Sequence, residues 1–333
     1  MIIQIQPWIN WKEIIEIIKV VRSTFITEGK KTLELERLTK DLTKSKYSIA
    51  YANGTLALYA ALKSLKIGRG DEVIVPNLTF IATANAVIMA GAKPVFCEVE
   101  KENLGISPKR IKSLISKNTK AIIPVHLYGY PCKMDEILKI SKEFKIKIIE
   151  DAAQGVGVHY KNKHVGTYGD IGVLSYYGNK TITTAEGGMI LTQNEKIYKS
   201  CYRLKNHGRD KKGTFIHENI GYNFAFTDLQ AAIGVAQMKK LNKIIRRKKR
   251  IFDMYFSELN SIEEIEFYKI NDQSNPVYWF SSIYVNEKES LKEFLFSNGV
   301  QTRDFFYPLH LQPCYKNMDL NIKDNFDVSE KIF

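Results

Sequence analysis

The residue with the clearest chemical potential is Lys180, which lies in the segment LSYYGNKTITTAEGGMIL at residues 174–191. The segment around it consists largely of serine, threonine, glycine and aromatic residues. A lysine that loses its solvation in such a place acquires a lowered pKa and becomes an amine nucleophile. The local residues fit a lysine in a surface turn equally well, so the rest of the chain has to decide between the two interpretations.

Groups that suit an anion follow the first predicted strand, Tyr47–Tyr51. Gly54 and Thr55 come next and open a predicted helix, where backbone N–H groups and the helix dipole favour a bound anion. Ordinary N-capping by Asn53 or Thr55 explains the same residues equally well.

Further candidate groups lie at the ends of later β runs. Asp151 closes the run Lys145–Asp151, and Ser175 lies near the end of the run Ile171–Tyr177. A buried carboxylate needs a cationic or hydrogen-bonding partner, so Asp151 is either a structural acid or a ligand for a cation. Phe80 follows another β run, where its ring either covers a flat ligand or packs in the core.

The elements that must position these groups alternate along the chain between short β runs and helices. The β runs are Tyr47–Tyr51, Glu72–Pro76, Pro94–Val99, Ala121–His126, Lys145–Asp151, Ile171–Tyr177 and Gly188–Thr192. The helices lie at Gly54–Lys66, Thr79–Ala90, Pro108–Ser116, Met134–Phe144 and Lys196–Lys205. This alternation predicts an α/β fold with a mostly parallel central sheet flanked by helices, and ligands bind beyond the carboxyl ends of such strands.

The two ends of the chain follow different patterns. About the first 35 residues read as helical, and one long helix is predicted from Thr227 to about Leu259. A β run at Tyr278–Val285, a helix at Lys288–Ser297 and a β run at Val300–Phe306 follow. We therefore predict a large domain over residues 1–240 and a smaller α+β domain over residues 241–333, incomplete at its end.

The candidate groups fit one cofactor as a set. Pyridoxal 5'-phosphate (PLP) requires an amine to bond to, an acid for its ring nitrogen and donors for its phosphate. Competing nucleotide motifs are weaker, since Gly155-Val156-Gly157 supplies only two of the three glycines of a dinucleotide fingerprint and the chain has no P-loop.

Composition excludes several other classes of protein. The net charge of +13 has its densest run at Arg246–Arg250, but this run continues an amphipathic helix and no nucleic-acid motif accompanies it. The basic surface suits an anionic substrate instead. No apolar run approaches the roughly 18 residues of a membrane span. The 4 cysteines lie far apart, which is typical of reduced thiols in a cytoplasmic protein and not of a metal site.

With these residues in hand, the chain resembles the DegT/DnrJ/EryC1/StrS family of PLP-dependent sugar aminotransferases from about residue 5 to residue 320. The resemblance is carried by ANGTLALYAAL (52–62), GDEVIVPNLTFIATANAV (70–87), AIIPVHLYGYPCKMD (121–135), EDAAQGVG (150–157), GNKTITTAEGGM (178–189) and GYNFAFTDLQAAIGVAQ (221–237). It implies a fold-type-I aminotransferase.

The resemblance also implies roles around the cofactor ring. Lys180 matches the lysine that bonds to PLP and moves a proton, and Asp151 matches the acid paired with the ring nitrogen. Gln154 matches a residue near the ring hydroxyl, and Phe80 matches the aromatic residue stacked on the ring.

The phosphate site is implied in the same way. Gly54, Thr55 and Ser175 match the phosphate-binding residues. Asn223 matches a phosphate ligand that the other subunit supplies. The implied enzyme is therefore a homodimer with shared active sites.

The implied substrates are a nucleotide-linked keto-sugar and L-glutamate, with Glu186, Tyr307 and His310 as candidate sugar contacts. The segments SYYGNKTITT, HLYGYPCKMD and QTRDFFYPLH are most similar to the perosamine-synthase-like branch, which aminates C4 of a nucleotide-linked 4-keto-6-deoxyhexose. A C3 aminotransferase or a non-catalytic regulatory homologue is the alternative. The dehydratase offshoot of the family carries histidine in place of the lysine, and Lys180 argues against it.

The chain departs from the family pattern at three places. Ala185 stands where glycine is common, and Ala225 stands where an arginine is often found, so any substrate contact from that side chain is in doubt. The closing segment of the family is short or missing after Phe333.

Overall fold

The structure is a computed structural model that describes residues 1–211, 213–268, 273–318, 320, 322 and 324–333. Its strands are β1 Tyr47–Tyr51, β2 Glu72–Pro76, β3 Lys93–Cys97, β4 Thr119–Ile122, β5 Lys147–Asp151, β6 His159–Tyr160, β7 Lys163–His164, β8 Ile171–Ser175, β9 Gly188–Thr192, β10 Ile265–Phe267, β11 Ser274–Asn275 and β12 Ile283–Val285. Its helices are α1 Trp11–Arg22, α2 Lys30–Thr43, α3 Gly54–Ser64, α4 Ala82–Met89, α5 Pro108–Leu114, α6 Met134–Phe144, α7 Glu195–Lys205, α8 Asp228–Lys239, α9 Leu241–Leu259, α10 Lys288–Ser297 and α11 Asp327–Ile332.

A seven-stranded sheet in the order β1-β9-β8-β5-β4-β2-β3 forms the centre of the molecule. The run from β8 to β3 is parallel throughout, and β9 lies antiparallel between β8 and β1. The predicted α/β fold with a mostly parallel sheet is therefore confirmed. The carboxyl ends of β5 and β8 lie side by side, and this edge carries the candidate site.

Helices cover both faces of the sheet. Successive residues of a strand point to opposite faces, so neighbouring residues are buried in different cores. In β5, Ile148 packs into a core with α2, α5, α6 and α8, whereas Ile149 packs into a second core with α3, α4 and α7. This alternation explains the nearly continuous apolar sequence of the central strands. It also directs Glu150 and Asp151, the next two residues, to opposite faces.

Most predicted elements of the sheet are confirmed, with shifted ends where turn chemistry intervenes. The strand predicted at Ala121–His126 ends at Ile122, because Pro124 has no N–H to donate to a ladder. The strand predicted from Lys145 begins at Lys147, because Lys145 caps α6 in the left-handed conformation with φ +56°.

The prediction that about the first 35 residues are helical is confirmed over α1 and the start of α2, but it was wrong for the break between these two helices. The second helix begins where the side chain of Asp228 accepts hydrogen bonds from the N–H groups of Gly29, Lys31 and Thr32. An acid almost 200 residues further along the chain thus caps the helix, and no local pattern indicates such a cap.

The single helix predicted from Thr227 to Leu259 was also wrong. Thr227 does begin α8 through a capping box with Gln230, but the helix is interrupted at Lys240, where φ is −114° and ψ is 7°. The Lys240 ammonium group pairs with the buried Glu13 carboxylate of α1 at 2.7 Å. The division of the chain at residues 240 and 241 into two domains stays a prediction.

The two β runs predicted near the C-terminal end were too long. Only Ile283–Val285 of the first run is a strand, and the second, Val300–Phe306, makes only a bridge between Val300 and Ile2. Their apolar residues instead build an aromatic cluster around one ring. We call this the aromatic cluster, and it consists of Tyr128, Trp279, Phe280, Phe305 and Phe306.

No helix in the described ranges is long and apolar enough to cross a membrane. Within the same ranges, no group of three or more His, Cys, Asp or Glu side chains is arranged to hold a metal ion.

Candidate active site

Asp151 ends β5 at the carboxyl edge of the sheet, and its side chain is buried. One carboxylate oxygen accepts a hydrogen bond of 2.7 Å from the Thr83 hydroxyl, and the other accepts one of 3.1 Å from the Ala153 N–H. Burial raises the pKa of this carboxyl group, while the two hydrogen bonds and the positive charge of Lys180 oppose the rise. Asp151 is therefore a buried acid that gains from a further cationic partner.

Lys180 lies in a turn but is half-buried, and it is within electrostatic range of Asp151. Burial lowers the pKa of the Lys180 ammonium group to about 8, against the opposing influence of the Asp151 charge. Its Nζ atom lies 4.2 Å from the centre of the Trp279 ring. An amine with this pKa is partly neutral near physiological pH and can act as a nucleophile or as a base.

Gly54 and Ser175 meet beside these two residues. Gly54 is the first residue of α3, and Asn53 caps the helix by accepting a 2.9 Å hydrogen bond from the Leu56 N–H. The cap is therefore Asn53 and not Thr55, which leaves the Gly54 and Thr55 amides of the first turn without partners inside the helix. A Cβ atom added at Gly54 would lie only 3.3 Å from the Ser175 Cβ. The glycine keeps open a cradle of amides and a hydroxyl that suits a phosphate group.

Phe80 stands at the same edge, two residues before α4 begins at Ala82, and not inside the helix as predicted. Its side chain is 53% exposed, so core packing does not explain the aromatic residue at this position. The ring centre lies 5.7 Å from that of Phe306. The Phe80 carbonyl oxygen accepts a 3.2 Å hydrogen bond from the N–H of Thr83, the residue that holds Asp151, so this exposed ring is available to cover a flat ligand at the same edge.

Gln154 is buried, and its side-chain oxygen accepts a 2.5 Å hydrogen bond from the Tyr128 N–H. Tyr128 adopts the left-handed conformation with φ +52°, which costs free energy in a residue with a side chain. The Gln154 amide thus has a fixed position close to Asp151 in the chain, with one donor group left for a ligand.

Asn223 and Glu186 are exposed, and each precedes a residue that contacts the segments around the cradle. The Phe224 carbonyl oxygen accepts a 3.0 Å hydrogen bond from the Ala52 N–H, and the Gly187 carbonyl oxygen accepts one of 2.8 Å from the Tyr176 N–H. Among the described residues, no hydrogen bond joins Asn223 or Glu186 to Lys180 or Asp151. Their contacts with the phosphate and the sugar therefore stay predictions.

The segment that contains Tyr307 and His310 docks at the carboxyl end of β2. The His310 N–H donates to the Asn77 side-chain oxygen at 3.0 Å, and the His310 ring nitrogen Nε2 lies 3.0 Å from a carboxylate oxygen of Glu330. Tyr307 makes an edge contact with Phe333. Because Asn77 directly follows β2, the segment borders the same edge of the sheet as Phe80.

Reasoning from the sequence alone missed two residues that contact the candidate groups. Thr83 holds Asp151, and Trp279 lies against Lys180. Thr83 belongs to the quoted segment 70–87 and lies in the first turn of the helix that follows β2, so its hydroxyl at the start of that helix was a usable signal. Trp279 lies about a hundred residues beyond Lys180 in an apolar run, which gives no local signal.

Ala185 adopts the left-handed conformation with φ +68°. This conformation favours glycine, which explains why a glycine is the commoner residue here. The Ala185 N–H is held by the Thr183 hydroxyl at 2.9 Å. The loop between β8 and β9 that carries Lys180 therefore retains its shape with some backbone strain.

Gly155 and Gly157 are explained by packing and not by a ligand. A Cβ atom at Gly155 would lie 2.6 Å from the Val165 side chain, and one at Gly157 would lie 2.6 Å from the Ile245 side chain. The residues that follow lead into β6 and not into a helix, which agrees with the rejection of a dinucleotide site.

Together, the parallel sheet, the buried acid, the lysine of lowered pKa and the amide cradle define an aminotransferase that uses pyridoxal phosphate. The chain belongs to the DegT/DnrJ/EryC1/StrS aminotransferase family, whose model matches residues 8–333.

Relatives in sequence and in structure agree with this assignment. The GDP-perosamine synthase of Escherichia coli O157:H7 is 39% identical over 93% of this chain and 86% of its own length, and that of Vibrio cholerae is 38% identical over 88% and 81%. The aminotransferase from Psychrobacter cryohalolentis superimposes with a TM-score of 0.92 at 28% identity, covering 98% of this chain and 91% of its own. The PLP form of the putative sugar aminotransferase Spr1654 from Streptococcus pneumoniae gives 0.91 at 27% identity, covering 99% and 90%.

Proposed function

We propose that this protein transfers an amino group from L-glutamate to C4 of a nucleotide-linked 4-keto-6-deoxyhexose. The product is the corresponding 4-amino-4,6-dideoxy sugar. The placement of Lys180 within electrostatic range of Asp151, at the sheet edge that also carries the cradle at Gly54, is the observation that supports the transamination. The similarity to the two GDP-perosamine synthases supports the sugar and the position that is aminated.

The residues at the sheet edge fit pyridoxal phosphate. When bound, this cofactor supplies an aldehyde that takes up amino groups and a ring that accepts carbanion charge. Asp151 would hold the proton of the ring nitrogen, with the Thr83 hydroxyl orienting its carboxylate. Gln154 would lie near the ring hydroxyl, and Phe80 would cover the ring face.

The phosphate end of the cofactor would occupy the cradle. The amides of Gly54 and Thr55 and the hydroxyl of Ser175 are the donors there. An anion at this place also gains from the positive end of the α3 dipole.

Lys180 would carry the protons of the reaction. With a pKa of about 8, its amine is able both to take a proton from the carbon that is oxidised and to return one to the carbon that is aminated. The acidity of the ring nitrogen is set separately by Asp151, so the two residues act on different protons.

The sugar-binding side would involve Glu186, Tyr307 and His310. His310 is held between Asn77 and Glu330, which leaves Tyr307 and the nearby exposed Phe80 to define the entrance. We assign no hydrogen bond to the sugar from any of them.

We also propose a homodimer in which Asn223 reaches the phosphate of the neighbouring active site. The exposure of Asn223 in the single chain supports this role, because the side chain is available to another molecule.

We propose the cytoplasm as the compartment of the protein. The cysteines Cys97, Cys132, Cys201 and Cys314 form no disulphide, which is typical of proteins in a reducing compartment.

Turnover of defined substrates tests the proposal. The purified protein would be incubated with L-glutamate and each of the GDP-, UDP- and dTDP-linked 4-keto-6-deoxy sugars, with 3-keto sugars as the competing set. We expect amination of a 4-keto sugar and none with Lys180→Ala. Activity confined to 3-keto sugars would assign the protein to C3 amination, and a protein that takes up no PLP would be a non-catalytic homologue.

A further inference from the structure

One side chain from the C-terminal part of the chain contacts two consecutive residues of the loop that carries the lysine. The indole N–H of Trp279 donates a 2.6 Å hydrogen bond to the Asn179 carbonyl oxygen. The face of the same ring lies 4.2 Å from the Lys180 Nζ atom. The backbone before the lysine and the amine at its tip are therefore both held by Trp279.

The Trp279 ring is itself fixed by its own backbone. The Trp279 N–H donates to the Tyr128 carbonyl oxygen at 3.3 Å, and the Trp279 carbonyl oxygen accepts a 3.1 Å hydrogen bond from the Lys248 ammonium group of α9. Burial lowers the pKa of Lys248 to about 8, so a cation is kept in a poorly solvated place while it donates to this carbonyl. Trp279 is thus anchored to two segments that are remote from the lysine loop in sequence.

A bulky buried residue often serves only to fill space. Comparison with Phe280, the next residue, shows whether Trp279 does more than fill space. The Phe280 ring lies 4.3 Å from the Trp279 ring and belongs to the same aromatic cluster. Among the described residues, Phe280 makes no recorded contact with Asn179 or Lys180, whereas Trp279 uses both its N–H and its ring face on them. General packing does not require both contacts at once.

The attraction between the ring face and the ammonium group has a definite effect on Lys180. An aromatic face within about 6 Å attracts a cation, and the attraction grows when water is excluded. It holds the free amine over the Trp279 ring, within electrostatic range of Asp151, when no cofactor is bonded to it. A lysine has a long flexible side chain, so without this contact the amine would sample many positions.

We infer that Trp279 is a positioning residue for Lys180, holding its amine and the preceding backbone so that the lysine meets the cofactor aldehyde in one orientation. This inference rests on the proposed role of Lys180. It gives the C-terminal part of the chain a direct function in cofactor capture.

The test compares two ligands of the cofactor-free protein. Pyridoxal phosphate has to bond to Lys180, whereas pyridoxamine phosphate has the same ring and phosphate but no aldehyde. For Trp279→Leu we expect covalent capture of pyridoxal phosphate, followed by visible absorbance, to slow about tenfold, because misplacement of a reacting group is costly. Binding of pyridoxamine phosphate should stay within about twofold of wild type, since it does not need the Lys180 amine.

Two further variants control for folding and packing. Phe280→Leu removes a ring of the same cluster and should leave both ligands unaffected. Trp279→Phe keeps a ring but loses the N–H, so its capture rate should fall between those of wild type and Trp279→Leu. Equal weakening of both ligands by Trp279→Leu, or an unchanged capture rate, would overturn the inference.

A spectroscopic measurement keeps the inference testable if Trp279→Leu does not fold. The chain has 3 tryptophans, so fluorine NMR of protein labelled with 5-fluorotryptophan gives few resonances, and Trp279→Phe identifies the one from Trp279. In cofactor-free protein this resonance should shift with pH near 8, and the shift should shrink in Lys180→Ala. The part that remains reports Lys248, whose pKa lies in the same range and whose ammonium group donates to the Trp279 carbonyl oxygen. A shift of unchanged size in Lys180→Ala would overturn the inference, whereas a Lys180-dependent shift in a protein without transaminase activity would contradict only the proposed function.

Discussion

Glu150 and Asp151 are adjacent buried acids on β5, yet their surroundings differ completely. The Glu150 carboxylate points to one face of the sheet and accepts four hydrogen bonds, from the Gly166 N–H at 2.7 Å, the Tyr168 N–H at 2.6 Å, the Gly169 N–H at 2.7 Å and the His126 ring at 3.0 Å. The Asp151 carboxylate points to the other face and accepts two, from Thr83 and Ala153.

The difference between these two acids distinguishes structure from function. Glu150 has its acceptor capacity filled by the protein, so it holds the loop at residues 166–169 and has little to offer a ligand. Asp151 is left short of donors in a buried place, and burial raises its pKa. A buried carboxylate with few hydrogen-bond donors around it is available for a cationic ligand. Glu150 is the control, because it is equally buried but all its acceptor capacity is used by the protein.

The largest effect should follow from removing the charge at the functional member of the pair. In Asp151→Asn, the side chain keeps its size but no longer holds a proton on the ring nitrogen. We expect transamination to fall at least about a hundredfold, because an electrostatic contact at the reacting group is lost. The urea midpoint of unfolding should change little. A loss of activity of less than tenfold would show that Asp151 is not the functional member of the pair.

The opposite pattern should follow from Glu150→Gln. The NH2 group of the glutamine side chain would face groups that donated to a carboxylate oxygen, and His126 would lose its charged partner. We expect the free energy of unfolding to fall by about 3 kcal/mol, as when one partner of a buried ion pair is removed. Measured per folded molecule, kcat should stay close to that of wild type. A selective loss of kcat with unchanged stability would show that Glu150 is also functional.

A smaller effect should follow from Thr83→Val, which removes the hydroxyl that donates to Asp151 and retains the shape of the side chain. A hydrogen bond to a carboxylate favours its ionised form, so its loss should raise the pKa of Asp151 further. The acid limb of the pH dependence of kcat/KM should therefore move to higher pH, with about a fivefold loss of activity for one hydrogen bond of roughly 1 kcal/mol.

Thr79→Val is the matched control for this measurement. The Thr79 hydroxyl lies 3.4 Å from that of Thr83 and makes no recorded contact with Asp151. Its removal should leave the acid limb in place. A shift of equal size in both variants would mean that the pKa of Asp151 responds to general polarity and not to the Thr83 donor.

The smallest effect should come from Ala185→Gly. This variant tests whether backbone strain in the loop that carries Lys180 serves structure or function. A left-handed alanine costs roughly 1 kcal/mol, and glycine removes that cost but gains freedom in the unfolded chain. We expect thermal unfolding to show an increase in stability of at most about 1 kcal/mol. Unchanged kcat would show that the strain is structural. A fall in kcat would show instead that the strain contributes to placing Lys180.

Much of the fold could be predicted because the signals are local. The strands β1, β2 and β9 are short apolar runs between turn residues, and α6 is a clearly amphipathic helix; all four were predicted at both ends. The candidate groups could be predicted to lie together because the carboxyl ends of parallel strands share one edge.

The shifted strand ends have local causes at Pro124 and Lys145, whereas the larger errors come from contacts between distant parts of the chain. The cap of α2 comes from Asp228, and the ring against Lys180 comes from Trp279. The apolar residues of Val300–Phe306 led to the prediction of a strand, but Phe305 and Phe306 are half-buried rings of the aromatic cluster and their backbone forms no strand. The role proposed for Asn223 depends on a second copy of the chain, which no pattern within one sequence describes.

The antiparallel position of β9 has a consequence for how the protein is made. The strands β3, β2, β4, β5 and β8 can associate as soon as they leave the ribosome, but β1 pairs only with β9, which ends at Thr192. At about 5–20 residues per second, β1 therefore waits unpaired for on the order of ten seconds. The first strand to be translated is therefore among the last to enter the sheet. Gly54 lies three residues after the end of β1, so the phosphate cradle is completed at the same time.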